Sequence, residues 1–302
     1  MSKVVVYAIG GNALSDPKNP DSKDSEEILD LVIDDVIDLL EADWRVVLTH
    51  GNGPQVGHLM TIDAENTESM DSWVSATQGM IGHSLSLKLD SRLRTRNRPE
   101  RSAVVLTRVE VDERDSAFQN PTKPVGPVLA DEDDVPSDWN VIKTEHGIRR
   151  VVPSPLPVSI VDADLIRSLV DLRAVVICGG GGGIPVSNNA GKFRGIEAVI
   201  DKDRVSSLLA VSLNADALVI STGIDSVKVN FGKEDERSIR KMTVVEALNL
   251  LEQGEFPAGS MAPKIGSLIE AVNNQPKMKA VLCAPGNAIS TLREMSGTTI
   301  ET

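Results

Sequence analysis

The sequence is poor in aromatic side chains: one tyrosine, three tryptophans and four phenylalanines in 302 residues. A core of this size must then be filled by Val, Ile, Leu and Ala, which suits strands buried under helices on both faces. Cysteine is also scarce. Cys178 and Cys283 each end an apolar run, two thiols cannot make a metal site unaided, and both read as reduced core residues. Basic residues are outnumbered, 31 Lys and Arg against 44 Asp and Glu, giving a net charge of -13 and a pI near 4.8. So acidic a surface argues against nucleic acid, whose phosphates are held by Lys and Arg. Long apolar runs are missing as well, none approaching the roughly 20 residues that span a bilayer. The run Val4 to Ile9 behind Met1-Ser2-Lys3 is too short for a signal peptide, so a soluble, cytoplasmic protein is expected. Internal repeats and low-complexity tracts are absent too.

What is present is an alternation of short β-branched runs with longer helical patterns, the signature of an α/β fold with a mainly parallel sheet. Strands are predicted over 3–9, 45–49, 103–109, 174–178, 217–221 and 279–284. Ile28, Leu29, Val32, Val36, Leu39 and Leu40 recur at helical spacing, which predicts an amphipathic helix over 25–42 capped at Ser25. Further helices are predicted over 72–93, 163–170, 202–213, 244–252 and 263–273, with Thr243 and Glu246 forming a capping box and Pro263 in a first turn. The length fits one domain, residues 1–302. Residues 117–155 break its rhythm with six prolines and the acidic run Asp131 to Asp134, and read as a lid or a small subdomain.

Three strands end in glycine-rich turns: Gly10-Gly11-Asn12, Gly51-Asn52-Gly53-Pro54 and Gly179 to Gly183. In an open parallel sheet such turns lie beyond the carboxyl ends of the strands and let backbone N–H groups approach an anion. None is followed by the Gly-Lys-Ser or Gly-Lys-Thr of a P-loop, and Ile184-Pro185 spoils a dinucleotide fingerprint in the third. Lysines stand out in so acidic a chain. Lys202 and Asp203 open a helix, with Asp203 placed to orient the lysine or a magnesium ion. Lys264 follows Gly259-Ser260-Met261-Ala262-Pro263, and Lys123 lies in the proline-rich excursion. Phosphoryl transfer needs such cations to hold charge on the transferring group.

These residues carry a resemblance. Ala8-Ile9-Gly10-Gly11-Asn12, Thr49 to Gly57, Thr77 to Gly82, Asn120 to Pro127, Arg149 to Pro155, Gly179 to Val186, Glu197 to Asp203, Asn230 to Lys233 and Gly259 to Lys264 are similar to carbamate kinase motifs, in the family's order. The resemblance implies the amino-acid-kinase fold, an αβα sandwich around a mainly parallel sheet with a protruding subdomain, in a homodimer. It implies reversible transfer between ATP and carbamate, giving ADP and carbamoyl phosphate with Mg²⁺, and a use in making ATP. By position, Gly10, Gly11, Asn12, Gly51, Asn52, Gly53, Gly180 and Gly181 resemble the substrate cradle. Lys123, Lys202 and Lys264 resemble the catalytic lysines with Asp203 as organiser. Ser221, Asp225, Lys228, Asn230, Gly259, Met261 and Lys264 fall to the nucleotide pocket. Other branches of the fold carry a lysine just before the first glycine turn, where this chain has Ala8 and Ile9, as carbamate kinases do.

Some positions depart from that pattern. Lys228 replaces a common tyrosine, Ala262 a usual glycine and His83 an aromatic, while residues 128–148 are shorter than the family's subdomain. Two other readings therefore stand beside carbamate kinase: a kinase of the same fold acting on another small carboxylate or oxyanion, and a catalytically silent nucleotide-binding homologue. For carbamate kinase a protein base is not required, because carbamate brings its own anionic oxygen, and His50 reads as an orienting or structural residue.

Overall fold

The computed structural model describes residues 2–10, 23–63, 67–129, 135, 139–144, 147–257 and 259–302. In chain order, β1 (Lys3–Ile9), α1 (Lys23–Glu41) and β2 (Trp44–His50) precede α2 (Gly53–Ile62), α3 (Met70–Thr95), β3 (Ser102–Val104) and β4 (Arg108–Val111). Then come β5 (Lys123–Leu129), β6 (Val141–Thr144), β7 (Gly147–Val152), β8 (Pro157–Ile160), α4 (Ala163–Asp171) and β9 (Val175–Ile177). The chain continues through β10 (Ile184–Asn189), β11 (Lys192–Gly195), α5 (Lys202–Ser212), β12 (Ala217–Ser221), β13 (Val227–Val229), β14 (Arg237–Ile239) and β15 (Lys241–Thr243). It closes with α6 (Val244–Glu252), α7 (Met261–Asn274), β16 (Lys279–Cys283), α8 (Ala288–Leu292) and β17 (Thr298–Glu301).

The main sheet has the order β15-β17-β16-β12-β1-β2-β9-β3, parallel except that β15 and β17 run against the rest. Strand alternation explains the continuous apolar run of β1. Val6 and Ala8 face one layer with Val205 and Leu209 of α5 and Ile265 and Leu268 of α7. Val5, Tyr7 and Ile9 face the other, with Val32 and Val36 of α1 and Leu85 and Leu89 of α3. Helices thus cover both faces, giving the expected αβα sandwich. No helix among the described residues is long and apolar enough to cross a membrane.

One buried polar group interrupts this apolar packing. Asp35 of α1 accepts the Tyr7 hydroxyl at 2.7 Å and the backbone amides of Gly286 and Ala288 at 2.8 and 2.9 Å. Burial pushes its carboxyl above the usual carboxylate range, against these three donors.

Several expectations need correction. The strand predicted over 103–109 is two: β3 ends the main sheet, and β4 joins a separate sheet of order β11-β10-β4-β8. The break comes at Thr107, whose amide donates to Gln78 Oε1 at 2.8 Å while its carbonyl accepts from Ile184 at 2.7 Å, so its backbone is taken from the main ladder. Ser25 is not a cap. The helix starts at Lys23, and acidic residues around Ser25 favour a longer N-terminal turn. The turn at 51–54 runs at once into α2, with Pro54 in its first turn.

Residues 123–152 hold a small antiparallel sheet of order β5-β7-β6. Pro124 and Pro127 both lie in β5, an edge strand, and Pro127 falls where its register shifts between Val125 and Leu129; edges and bulges are where a sheet tolerates proline. The sheet lies against α2 where Gly57 meets Gly126: a Cβ on Gly57 would come within 2.0 Å of the Gly126 backbone. Only glycine permits that approach.

Candidate active site

Because β1, β2, β9 and β12 are parallel neighbours, their carboxyl ends meet at one edge of the sheet. The glycine turns leave from this edge. A Cβ on Gly10 would lie 2.8 Å from the Ser221 carbonyl, so the ends of β1 and β12 touch. Gly11 and Asn12 lie outside the described residues. A Cβ on Gly180 would meet the His50 ring at 2.5 Å, and one on Gly181, at φ 64°, the Asn52 amide at 2.2 Å. The second and third turns therefore interlock through Gly180 and Gly181 on one side and His50 and Asn52 on the other. Gly53, by contrast, borders open space.

Buried polar side chains fix these turns. Asn52 Nδ2 donates to Thr77 Oγ1 at 2.9 Å, and Gln78 Nε2 donates to the Gly180 carbonyl at 2.9 Å. The Gly179 amide donates to Thr107 Oγ1 at 2.9 Å. His50 Nδ1 donates to the Gly51 carbonyl at 2.9 Å, which leaves Nε2 as the bare nitrogen. Burial, aided by the positive charge of Lys202, lowers the His50 pKa to about 4 against the pull of that hydrogen bond. His50 is therefore a neutral imidazole at pH 7 and supplies no charge.

The charge comes from the lysines. Lys202 is the first residue of α5 and pairs with Asp203 Oδ1. Lys264, in the first turn of α7, donates to Asp203 Oδ2 at 3.0 Å. Two helix N-termini, each with its own partial positive charge, thus bring two ammonium groups to one carboxylate that is 2% exposed. Burial pushes the Asp203 carboxyl up, but Lys202 and Lys264 hold it below the usual range. Lys202 is lowered as well, which for a lysine disfavours the charged form. Burial lowers its pKa and Lys264 adds to this, against the pull of Asp203.

Lys123, at the start of β5, reaches the same place from the small sheet and donates to Asp201 Oδ2 at 2.6 Å. Three ammonium groups then face two carboxylates, an excess of positive charge suited to an anion. Of the residues singled out in the sequence, Lys123, Lys202, Asp203 and Lys264 are brought together, as are Gly51, Asn52, Gly180 and Gly181. Ser221 ends β12 beside Gly10, and Gly259 and Met261 sit at the start of α7.

The remaining nucleotide-side candidates are bound into their own loops. Asp225 accepts from Asn287 at 3.2 Å and faces Arg240 at 3.7 Å. Lys228 donates to Glu236 at 2.5 Å and stands over the Phe231 ring. Asn230 donates from its side chain to Asp235 at 2.6 Å and from its amide to Glu255.

Sequence reasoning passed over Asp201 and Gln78. An aspartate directly before the helix-opening Lys202 was the available signal for Asp201, as an N-cap. Gln78 carried no such local mark. As for a metal, both oxygens of Asp203 are taken by lysines, and no group of three His, Cys, Asp or Glu suited to a metal occurs among the described residues. These side chains do not fit a protein-held Mg²⁺ cage.

The geometry agrees with relatives along the whole chain. Residues 3–283 match the amino acid kinase family. Carbamate kinase 1 of Enterococcus faecium is 39% identical over 98% of this chain and 97% of its own. A carbamate kinase-like protein of Escherichia coli is 36% identical over 99% of both. The structure of carbamate kinase from Giardia lamblia bound to AMP-PNP superposes with a TM-score of 0.88 at 33% identity, covering 99% of this chain and 98% of that one. The chain thus belongs to the amino acid kinase family, on the branch that holds the carbamate kinases.

Proposed function

We propose that the protein is a carbamate kinase, catalysing ATP + carbamate = ADP + carbamoyl phosphate and working toward ATP. The observation that carries this is the convergence of Lys123, Lys202 and Lys264 on Asp201 and Asp203, beside glycine turns in which Ala8 and Ile9 leave no lysine before Gly10. In the forward direction a carbamate oxygen attacks the γ-phosphorus in line, a new P–O bond forms, and the bond to the ADP oxygen breaks. Lys202 and Lys264 offset charge on the transferring group. The neutral His50 keeps Gly51 and Gly180 in place. Gly10, Gly51, Asn52, Gly53, Gly180 and Gly181, with Gly11 and Asn12, would cradle the acceptor and the transferring phosphate. Ser221, Asp225, Lys228, Asn230, Gly259 and Met261 would border the nucleotide. Mg²⁺ would arrive on the nucleotide's phosphates.

The small sheet β5-β7-β6 reads as the lid that carries Lys123 over this site. A cytoplasmic homodimer completes the reading. Met80 and Leu87 of α3 are more than half exposed, and α3 packs at Gly82 on β3, the free edge of the main sheet, so a second copy has an apolar face to cover.

ATP formation from carbamoyl phosphate and ADP with Mg²⁺ tests the proposal, and its absence in purified, folded protein refutes it. A kinase of the same fold for another acyl phosphate is favoured by one observation, the commitment of Lys228 to Glu236 where the family's motif has tyrosine. Faster turnover of a different acyl phosphate in the same assay would select it.

A further inference from the structure

We propose that Asp201 is the positioning residue for Lys123, a single carboxylate that joins the lid to the transfer site. The inference rests on the reading of the lid and lysines given above and deepens it. The two oxygens of Asp201 have separate tasks. Oδ1 caps α5, accepting the Asp203 amide at 2.9 Å and the Arg204 amide at 3.3 Å, and so fixes the turn that carries Lys202 and Asp203. Oδ2 accepts Lys123 Nζ at 2.6 Å, 78 residues away in sequence. A cap alone has no need of charge, since serine, threonine or asparagine serve as well. The second oxygen is what requires aspartate here.

The surroundings support the assignment. The Asp201 side chain is 16% exposed and that of Lys123 30%, so the pair is largely shielded from water. One backbone bond runs beside it, from the Val199 amide to the Pro153 carbonyl at 3.0 Å, just past the end of β7. On the opposite flank, Gly57 and Gly126 set the distance between α2 and β5. Lys123 is therefore held at one end of a strand whose middle is pinned. A lysine ammonium has three donors, so an incoming phosphate oxygen can be met without breaking the bond to Asp201. The aspartate then sets where Lys123 waits and how far from Lys202 it stays.

Asp201→Asn separates the two tasks. Its amide oxygen still caps α5, but its NH₂ group faces the Lys123 ammonium donor to donor. With carbamoyl phosphate and ADP, kcat of Asp201→Asn should fall on the order of 10²-fold, the cost of misplacing a reacting partner by about an ångström, with the KM for ADP unchanged. Lys123→Met should lose as much, and the double variant no more than Lys123→Met alone. Wild-type turnover in Asp201→Asn, or losses that multiply in the double variant, would overturn the proposal.

Hydrogen exchange of the ligand-free proteins gives a readout without catalysis. Exchange in β5 and β7 should rise in Asp201→Asn while the first turn of α5 keeps its protection; unchanged exchange in β5 overturns the proposal. Lys123→Met leaves the cap untouched and must loosen β5 in the same way, which decides the matter if Asp201→Asn does not fold. If the wild type makes no ATP, the carbamate kinase reading fails while the exchange measurements still judge Asp201.

Discussion

Replacing Asp203 by asparagine is the sharpest perturbation of the site. The carboxylate is 2% exposed and holds Lys202 on one oxygen and Lys264 on the other. Asparagine has nearly the same shape, so packing is kept and only charge is lost. Two ammonium groups are then left close together with no carboxylate between them, Asp201 being already paired with Lys123, and the amide NH₂ faces one of them. Removing one partner of a buried ion pair costs about 3–5 kcal/mol. At about 2 °C per kcal/mol for a domain of this size, the thermal midpoint should fall by about 6–10 °C. The pH dependence follows from the sign of the shift. Asp203 sits below its ordinary value of 3.8 in the fold, so its stabilisation is full at pH 7 and is lost as pH falls through the folded value. The gap between wild type and Asp203→Asn should therefore be full at pH 7 and close only on the acid side of the carboxylate range. Lys264→Met added to Asp203→Asn removes one stranded charge and should restore part of the midpoint. The assays are calorimetry across pH and ATP formation, in which kcat should drop on the order of 10²- to 10³-fold. An unchanged midpoint at pH 7, or a double variant less stable than Asp203→Asn, would refute the reasoning.

Gly57→Ala should lower kcat without unfolding the main sheet, because its Cβ, 2.0 Å from the Gly126 backbone, pushes β5 and Lys123 away from α2; ADP affinity, measured by calorimetric titration, should stay as in wild type. Cys178 and Cys283 are buried, and burial raises the pKa of both thiols, so the native protein should resist alkylation by iodoacetamide and react at both only in denaturant, as counted by mass spectrometry. Because the folded state holds His50 near 4 and an unfolded histidine titrates near 6.5, stability should fall as pH drops between these values, and His50→Gln should remove that slope from a plot of thermal midpoint against pH. Leu87→Glu should turn the proposed dimer into monomers in sedimentation, since it places a charge in the exposed apolar face of α3, and a wild type that sediments as a monomer refutes the dimer itself.

Much of the fold was legible because its signals are local. The strands over 3–9 and 217–221 appear with the predicted bounds, being apolar runs that end in turns, and α6 begins where its capping box puts it, with the Thr243 and Glu246 side chains reciprocally bonded. Carboxyl ends of parallel strands then gathered the glycine turns by geometry alone. Long-range bonds hid the rest. The break at Thr107 depends on Gln78, 29 residues earlier, and the strands around Pro124 are written in residues that alone favour loops. Asp201 looked like an ordinary residue of its motif until Lys123 arrived from the small sheet. A sequence reading sees which residue types recur, whereas the identity of a partner 78 positions away is fixed only by the fold.

Asp35 carries a consequence for synthesis. Its carboxylate joins β1 and α1 to amides 251 and 253 residues further on, and β1 lies between β2, made early, and β12, made late. Growing from its N-terminus, the chain presents this carboxylate long before Gly286 and Ala288 leave the ribosome. The first strand and helix cannot settle into their final packing while the acid lacks its amides, so the nascent chain keeps part of its core open until Gly286 and Ala288 have been made.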